Sequence, residues 1–192
     1  MRQSKISRTT QETDITIEFN LDGNRQISIN TGIPFFDHML NLFAFHANID
    51  LNIRACGDIE VDDHHTVEDV GIILGMAFKE AINDYKGINR YGFVYLPMDE
   101  SLSRVVVDIS NRPLLVFKSD FKQDKVGTLS TENVNEFFKA FVQEARINLH
   151  IENIYGSNDH HKIESIFKGF GRAIKEAIMI NSECLPSTKG LL

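Results

Sequence analysis

The chain has 192 residues, 42% hydrophobic and 24% charged, with 20 Lys and Arg against 27 Asp and Glu for a net charge of −7. That is long enough to bury a core, and an acidic balance without long runs of one sign argues against nucleic acid as the main partner. No apolar stretch approaches the roughly 18 residues of a membrane helix, MRQSKISRTTQETD lacks the apolar core of a secretory signal, and Cys56 and Cys184 form no redox or metal spacing, so a cytoplasmic location with reduced thiols is expected.

In chain order, residues 14–20 (DITIEFN) alternate apolar and polar, as a half-buried strand does. Leu21-Asp22-Gly23-Asn24 reads as a turn, and residues 26–30 (QISIN) resume the alternation. A helix is predicted from about Phe35 to Ala47, then a strand over 49–53. Val70, Ile73, Leu74, Ala77, Phe78 and Ala81 form the stripe of a second helix beginning near Thr66. The segment Lys86-Gly87-Ile88-Asn89-Arg90 reads as a junction, dividing the chain into halves 1–89 and 90–192. Beyond it, strands are predicted at 104–110, 114–117 and 147–154, and helices at about 131–145 and 161–180. The last residues, 181–192, read as irregular.

The chain repeats itself. Asp63-His64-His65-Thr66-Val67-Glu68 matches Asp159-His160-His161-Lys162-Ile163-Glu164 at a shift of 96 residues, and Lys79-Glu80-Ala81-Ile82 matches Lys175-Glu176-Ala177-Ile178 at the same shift. Upstream the shift becomes 98: Phe43 meets Phe141, and Ile49, Leu51 and Ile53 meet Ile147, Leu149 and Ile151. The expected fold is therefore α+β and internally duplicated, each half packing two helices on one face of a small sheet.

Within each repeat, the first His and the Glu lie four apart and share a helix face. Adjacent histidines differ by about 100° around the axis and do not easily serve one ion, so each doublet is expected to serve two different metals. Imidazole with carboxylate suits Mn2+, Fe2+, Zn2+ or Ni2+, and the residues alone do not choose. Polar residues at the start of a helix are often solvated caps, but costly polar groups coinciding across a duplication favour a ligand role. At the 98-residue shift His38 pairs with Glu136, a further candidate ligand pair, and His46 pairs with Glu144. His150 is read as structural.

GIPFFDHML (32–40), DDHHTVED (62–69), KGINRYG (86–92), NDHHKIESIFKGFGRA (158–173) and PSTKG (186–190) resemble the imidazoleglycerol-phosphate dehydratase family over nearly the whole chain. The resemblance implies a four-stranded sheet backed by two helices in each half. It also implies a homo-oligomer of 24 subunits, with active sites between subunits and two manganese ions per site. The implied activity is loss of water from imidazole glycerol phosphate, a small phosphorylated imidazole, to give imidazole acetol phosphate in histidine biosynthesis. The implied metal ligands are His38, His64, His65, Glu68, His160, His161 and Glu164. Glu136 stands where relatives often carry a His, and a carboxylate still suits a hard ion. Arg90, Arg112, Ser187, Thr188 and Lys189 match substrate-binding positions, with His38 and His46 also expected at the substrate and Glu12 reaching it from a neighbouring subunit. A Lewis acid on the imidazole nitrogen would help expel the hydroxyl, and Glu12, Glu68 or Glu164 would take the neighbouring C–H proton. A two-metal phosphatase would want more Asp ligands, and a metal scaffold would leave Arg90, Arg112 and the PSTK tail idle.

Overall fold

The computed structural model describes residues 2–192. Its first half runs β1 (Gln3–Thr9), β2 (Thr13–Asn20), β3 (Ile27–Asn30), α1 (Pro34–Ala47), β4 (Asp50–Gly57) and α2 (His64–Ile82). The second runs β5 (Tyr91–Met98), β6 (Ser101–Asp108), β7 (Leu114–Lys118), a small hairpin of β8 (Lys125–Val126) and β9 (Leu129–Ser130), α3 (Glu132–Ala145), β10 (Asn148–Tyr155) and α4 (Asp159–Ala177). The sheets are ordered β1-β2-β4-β3 and β5-β6-β10-β7, one topology drawn twice. In each, the edge strand after the hairpin pairs parallel to its neighbour: β3 with β4, β7 with β10.

Alternation decides which face each sheet buries. Ile15, Ile17 and Phe19 of β2 point inward and are at most 2% exposed, as are Val105 and Val107 of β6. Helices α1 and α2 cover the first sheet and α3 and α4 the second, and α2 packs on α3 while α1 packs on α4. One continuous apolar core therefore joins the halves. Phe43 of α1 stacks on Phe170 of α4 at 4.7 Å, and Phe141 of α3 meets the same ring edge-on at 5.2 Å.

The helix contacts obey the internal symmetry. A Cβ on Gly75 of α2 would lie 2.6 Å from the Phe141 carbonyl oxygen, and one on Gly171 of α4 would lie 2.5 Å from that of Phe43. These pairs are related by the repeat, so glycine lets two backbones touch at equivalent points. Gly71 against Phe137 precedes Gly75 against Phe141, so α2 and α3 run parallel. At the far pair, Phe35 of α1 touches His160 at the start of α4 and Gly171 meets Phe43, so α1 and α4 are parallel too. Contact of the Phe36 and Phe137 rings brings the two pairs into line, with all four N-termini at one end.

Three features depart from the sequence reading. β1 and β5, both edge strands, complete the four-stranded sheets that the resemblance implied but were not located in the sequence, and the β8–β9 hairpin was not anticipated. Helix α2 begins at His64 rather than near Thr66, which carries both histidines of the doublet into its first turn. Helix α4 stops at Ala177 rather than continuing to residue 180, where Ile180 bridges back to Ile88. Among the described residues no helix is long and apolar enough to cross a membrane.

Candidate active site

Each doublet is held by a buried aspartate just before it. Asp159 accepts hydrogen bonds from the Lys122 and Gln123 amides at 2.7 and 2.8 Å and from Lys162 Nζ at 2.9 Å. Asp63 accepts the Ser130 amide at 2.7 Å and its hydroxyl at 2.6 Å. Burial pushes both carboxyls upward, but these donors outweigh it and both stay below the usual range. The segment from 122 to 130 thus anchors both helix starts. Asn158 then caps α4, its side-chain oxygen accepting the His160 and His161 amides.

Within a doublet the two rings diverge, with planes 76° apart for His64 and His65 and 84° for His160 and His161. His38 from α1, His160 and Glu164 converge: one ligand atom from each lies within 4.8 Å of the others. His160 Nε2 is 3.1 Å from Glu164 Oε2. Glu164 keeps only 9% of its side chain exposed, and its other oxygen meets Lys168 Nζ at 2.5 Å. Burial raises its pKa, yet Lys168 and then His160 bring the net shift below the usual carboxylate value. Two imidazoles and a buried carboxylate are a donor set that suits a divalent transition ion.

The equivalent group in the first half is looser. His64 Nε2 is 3.7 Å from Glu68, and His64 Nδ1 is 3.0 Å from the Asn133 side-chain oxygen. Glu136 turns to Lys139 at 3.1 Å. Among the described residues, His64, Glu68 and Glu136 do not close into a second three-ligand cluster.

The second histidine of each doublet faces other carboxylates. His65 Nδ1 is 3.0 Å from Asp58 Oδ2, and its Nε2 is 3.8 Å from Glu12. His161 Nδ1 is 2.6 Å from Glu100 Oε2, and its Nε2 is 3.6 Å from Asp99. The hydrogen bonds to Asp58 and Glu100 hold both imidazoles above their ordinary pKa, and the His161 contact holds Glu100 far below its own. His46, by contrast, is pushed down by burial first and then by Lys168, Arg172 and Arg25.

Arg90, Arg112, Ser187, Thr188 and Lys189 line one cavity of about 380 Å³. Arg90 is held by Asp108 at 2.7 Å and donates to the Pro186 carbonyl at 2.9 Å, tying the tail to the second sheet. Its backbone adopts a left-handed φ of 70°, a strained conformation for Arg that these contacts hold in place. Arg112, its side chain 65% exposed, comes within 4.0 Å of Asp108 and lines the same cavity. Such a pocket suits a phosphate.

A model of the imidazoleglycerol-phosphate dehydratase family matches residues 31–174. The chain belongs to that family. Imidazoleglycerol-phosphate dehydratases of Clostridioides difficile and Clostridium botulinum are 55% and 57% identical over all of this chain, covering 100% and 98% of their own lengths. The crystal structure of the Staphylococcus aureus dehydratase superposes with a TM-score of 0.83 at 47% identity, covering 93% of this chain and 99% of that one. The Pyrococcus furiosus structure gives 0.85 at 38% identity, over 97% and 100%. This chain is accordingly a hydro-lyase of histidine biosynthesis, and its duplicated α+β fold is that of the solved dehydratases.

Sequence reasoning missed three groups that the dehydratase fold brings to these candidate ligands. Asp58 and Glu100 lie 7 and 61 residues from the histidines they touch. Lys168 lies one turn beyond Glu164, a spacing that pairs side chains on a helix, but the repeat matches it to Ile72 and so gave no signal.

Proposed function

We propose that this dehydratase converts imidazole glycerol phosphate to imidazole acetol phosphate with two Mn2+ per active site, in a cytoplasmic assembly of 24 subunits whose sites lie between subunits. His38, His160 and Glu164 would hold one ion, and His64, His65, Glu68 and His161 the remaining positions, joined by Glu136 once it leaves Lys139. The halves 1–89 and 90–192 act as repeat units, and the tail of the second supplies substrate contacts. The observation that carries this reading is the convergence of His38, His160 and Glu164 at the start of two parallel helices.

Helix length supports sharing between subunits. His160 opens α4, while Arg90 donates its amide to Ala177 at the other end of that 19-residue helix. At 1.5 Å per residue these ends are about 27 Å apart, well beyond the span of one imidazole glycerol phosphate. A substrate held in the Arg90 cavity of one chain would then present its imidazole to histidines of another.

A bound ion supplies a Lewis acid to the substrate imidazole. Arg90, Arg112 and Lys189 neutralise the phosphate, with Ser187 and Thr188 as neutral donors. His46 is expected beside the substrate. The hydroxyl leaves the carbon that bears the ring, and the hydrogen on the next carbon passes to a carboxylate. Glu12 fits that role best of the three glutamates: its side chain is 55% exposed and lies beside His65 without a close partner, whereas Glu164 is buried against Lys168 and Glu68 faces His64. The resulting enol becomes the ketone, and the phosphate is retained.

Metal-stripped protein assayed with and without Mn2+, alongside its size in solution, tests the reading. Restored ketone formation and a large particle are expected; release of inorganic phosphate, or Mn2+ uptake without product, overturns it. Glu12→Gln should cost most of the turnover with metal content intact, whereas Glu164→Gln should lose metal.

A further inference from the structure

We propose that Asp58 and Glu100 are positioning residues, each fixing the second histidine of its doublet in the Nδ1–H tautomer so that Nε2 of His65 and of His161 is the nitrogen offered to metal. This rests on the metal-dependent reading above.

An ionised carboxylate accepts and does not donate, so the imidazole nitrogen against it must carry the hydrogen. His161 Nδ1 lies 2.6 Å from Glu100 Oε2, and His65 Nδ1 lies 3.1 and 3.0 Å from the two oxygens of Asp58. Neutral imidazole then has its lone pair on Nε2 in both cases. On that side each ring meets a carboxylate only at longer range, Asp99 at 3.6 Å and Glu12 at 3.8 Å. A carboxylate behind a histidine orients the ring and raises its basicity as a ligand.

The duplication gives independent support. Glu100 sits in the β5–β6 turn, whose counterpart in the first half is the β1–β2 turn carrying Glu12. Asp58 instead follows β4. Inheritance from one ancestral repeat would place the same partner in both halves. Two positions not related by the repeat make the same contact, while Glu12 is left without a close partner. Glu100 is further immobilised: its Oε1 accepts the Ser157 and Asn158 amides at 2.9 and 2.8 Å, leaving Oε2 for His161.

That division of labour between the two oxygens provides a clean test. In Glu100→Gln the amide oxygen keeps the Ser157 and Asn158 contacts, and the NH2 replaces Oε2. An NH2 facing Nδ1 donates to it, forcing the hydrogen of His161 to Nε2. Nitrogen-15 NMR of histidine-labelled, metal-free protein, at an alkaline pH where the imidazoles are neutral, should show His161 switching from Nδ1–H to Nε2–H, with His65 unchanged. Titration with Mn2+ should show affinity weakened by about 10–100-fold, and excess Mn2+ should recover much of kcat. Asp58→Asn should mirror this at His65. Glu100→Asp, which keeps a carboxylate, should retain the Nδ1–H signature. An unchanged tautomer in Glu100→Gln, or a switched tautomer with unaltered Mn2+ affinity, overturns the proposal. The tautomer readout needs neither metal nor turnover. Wild-type protein that shows Nδ1–H at both rings but takes up no Mn2+ would count against the metal-dependent reading instead.

Discussion

The two histidine doublets sit at equivalent points of a duplicated chain, yet their surroundings differ in tightness. In the second half His160 and Glu164 draw in His38 across the α1–α4 contact, and the carboxylate is buried. In the first half His64 and Glu68 are each 42% exposed and 3.7 Å apart, and the residue matching His38, Glu136, pairs with its own helix neighbour. Duplication fixes where ligands start, at the first turn of a long helix. The side chain delivered by the packed helix determines whether a site closes within one chain. On the function proposed above, the first doublet takes its remaining ligands from another subunit.

The largest test of that contrast is removal of the first histidine of each doublet. His160→Ala should abolish the cluster and lower turnover by more than the roughly 100-fold that losing a supporting partner costs. Metal analysis of the isolated variant should show fewer ions per chain. If metal-free His64→Ala loses as much Mn2+ affinity as His160→Ala does without any assembly, the first site is as complete as the second and the comparison fails.

A stability effect of intermediate size tests the symmetric part. Gly75→Ala and Gly171→Ala each drive a methyl into a carbonyl oxygen of the facing helix, and each should destabilise by about 1–3 kcal/mol in denaturant unfolding. Similar losses would confirm that the two helix contacts are energetic equivalents; a loss at one position alone would show that one helix pair yields.

The smallest effect is on pH dependence. His46 on α1 faces Lys168, Arg172 and Arg25, with Glu164 also near, while Glu144 holds the equivalent place on α3. Because the folded pKa of His46 is lowered, the unfolded chain binds its proton more readily. Stability from this group is intact above about pH 6.5, the unfolded value, and is lost as pH falls through the folded value. Unfolding curves between pH 7.5 and 5 should therefore show a shallower decline for His46→Asn than for the parent, and no such change for Glu144→Gln over that window.

The interior of the fold was legible in the sequence because burial writes periodicity: β2, α1, β4, α2 and their partners bury one face and expose the other. The edge strands β1 and β5 were not legible. In β1 the burial alternates only between exposed and intermediate, so Gln3 to Thr9 carries no apolar stripe. β5 carries aromatics on its exposed face and a proline, Pro97, which marks an edge rather than a strand interior. The doublets were readable because residues of one chemistry recur at fixed spacing, whereas Arg90, Arg112 and the tail residues were singled out only through the family resemblance. Asp58 and Glu100 were not readable, because each owes its position to where a turn lands in three dimensions, and Lys168, one turn from Glu164 on α4, has no counterpart in the repeat.

The parallel arrangement of the four helices has an electrostatic consequence for the ligand end. Each N-terminus presents roughly half a positive charge, so four together approach two units at the place where cations would bind. That potential repels metal. Every helix start carries an acid against it: Asp37 on α1, Asp63 before α2, Glu132 on α3 and Asp159 on α4. Those side chains oppose the poles, Asp159 only in part because Lys162 already pairs with it, and leave the field to Glu68, Glu136 and Glu164. Stripped of them, the same end of the molecule would be an anion trap rather than a seat for divalent ions.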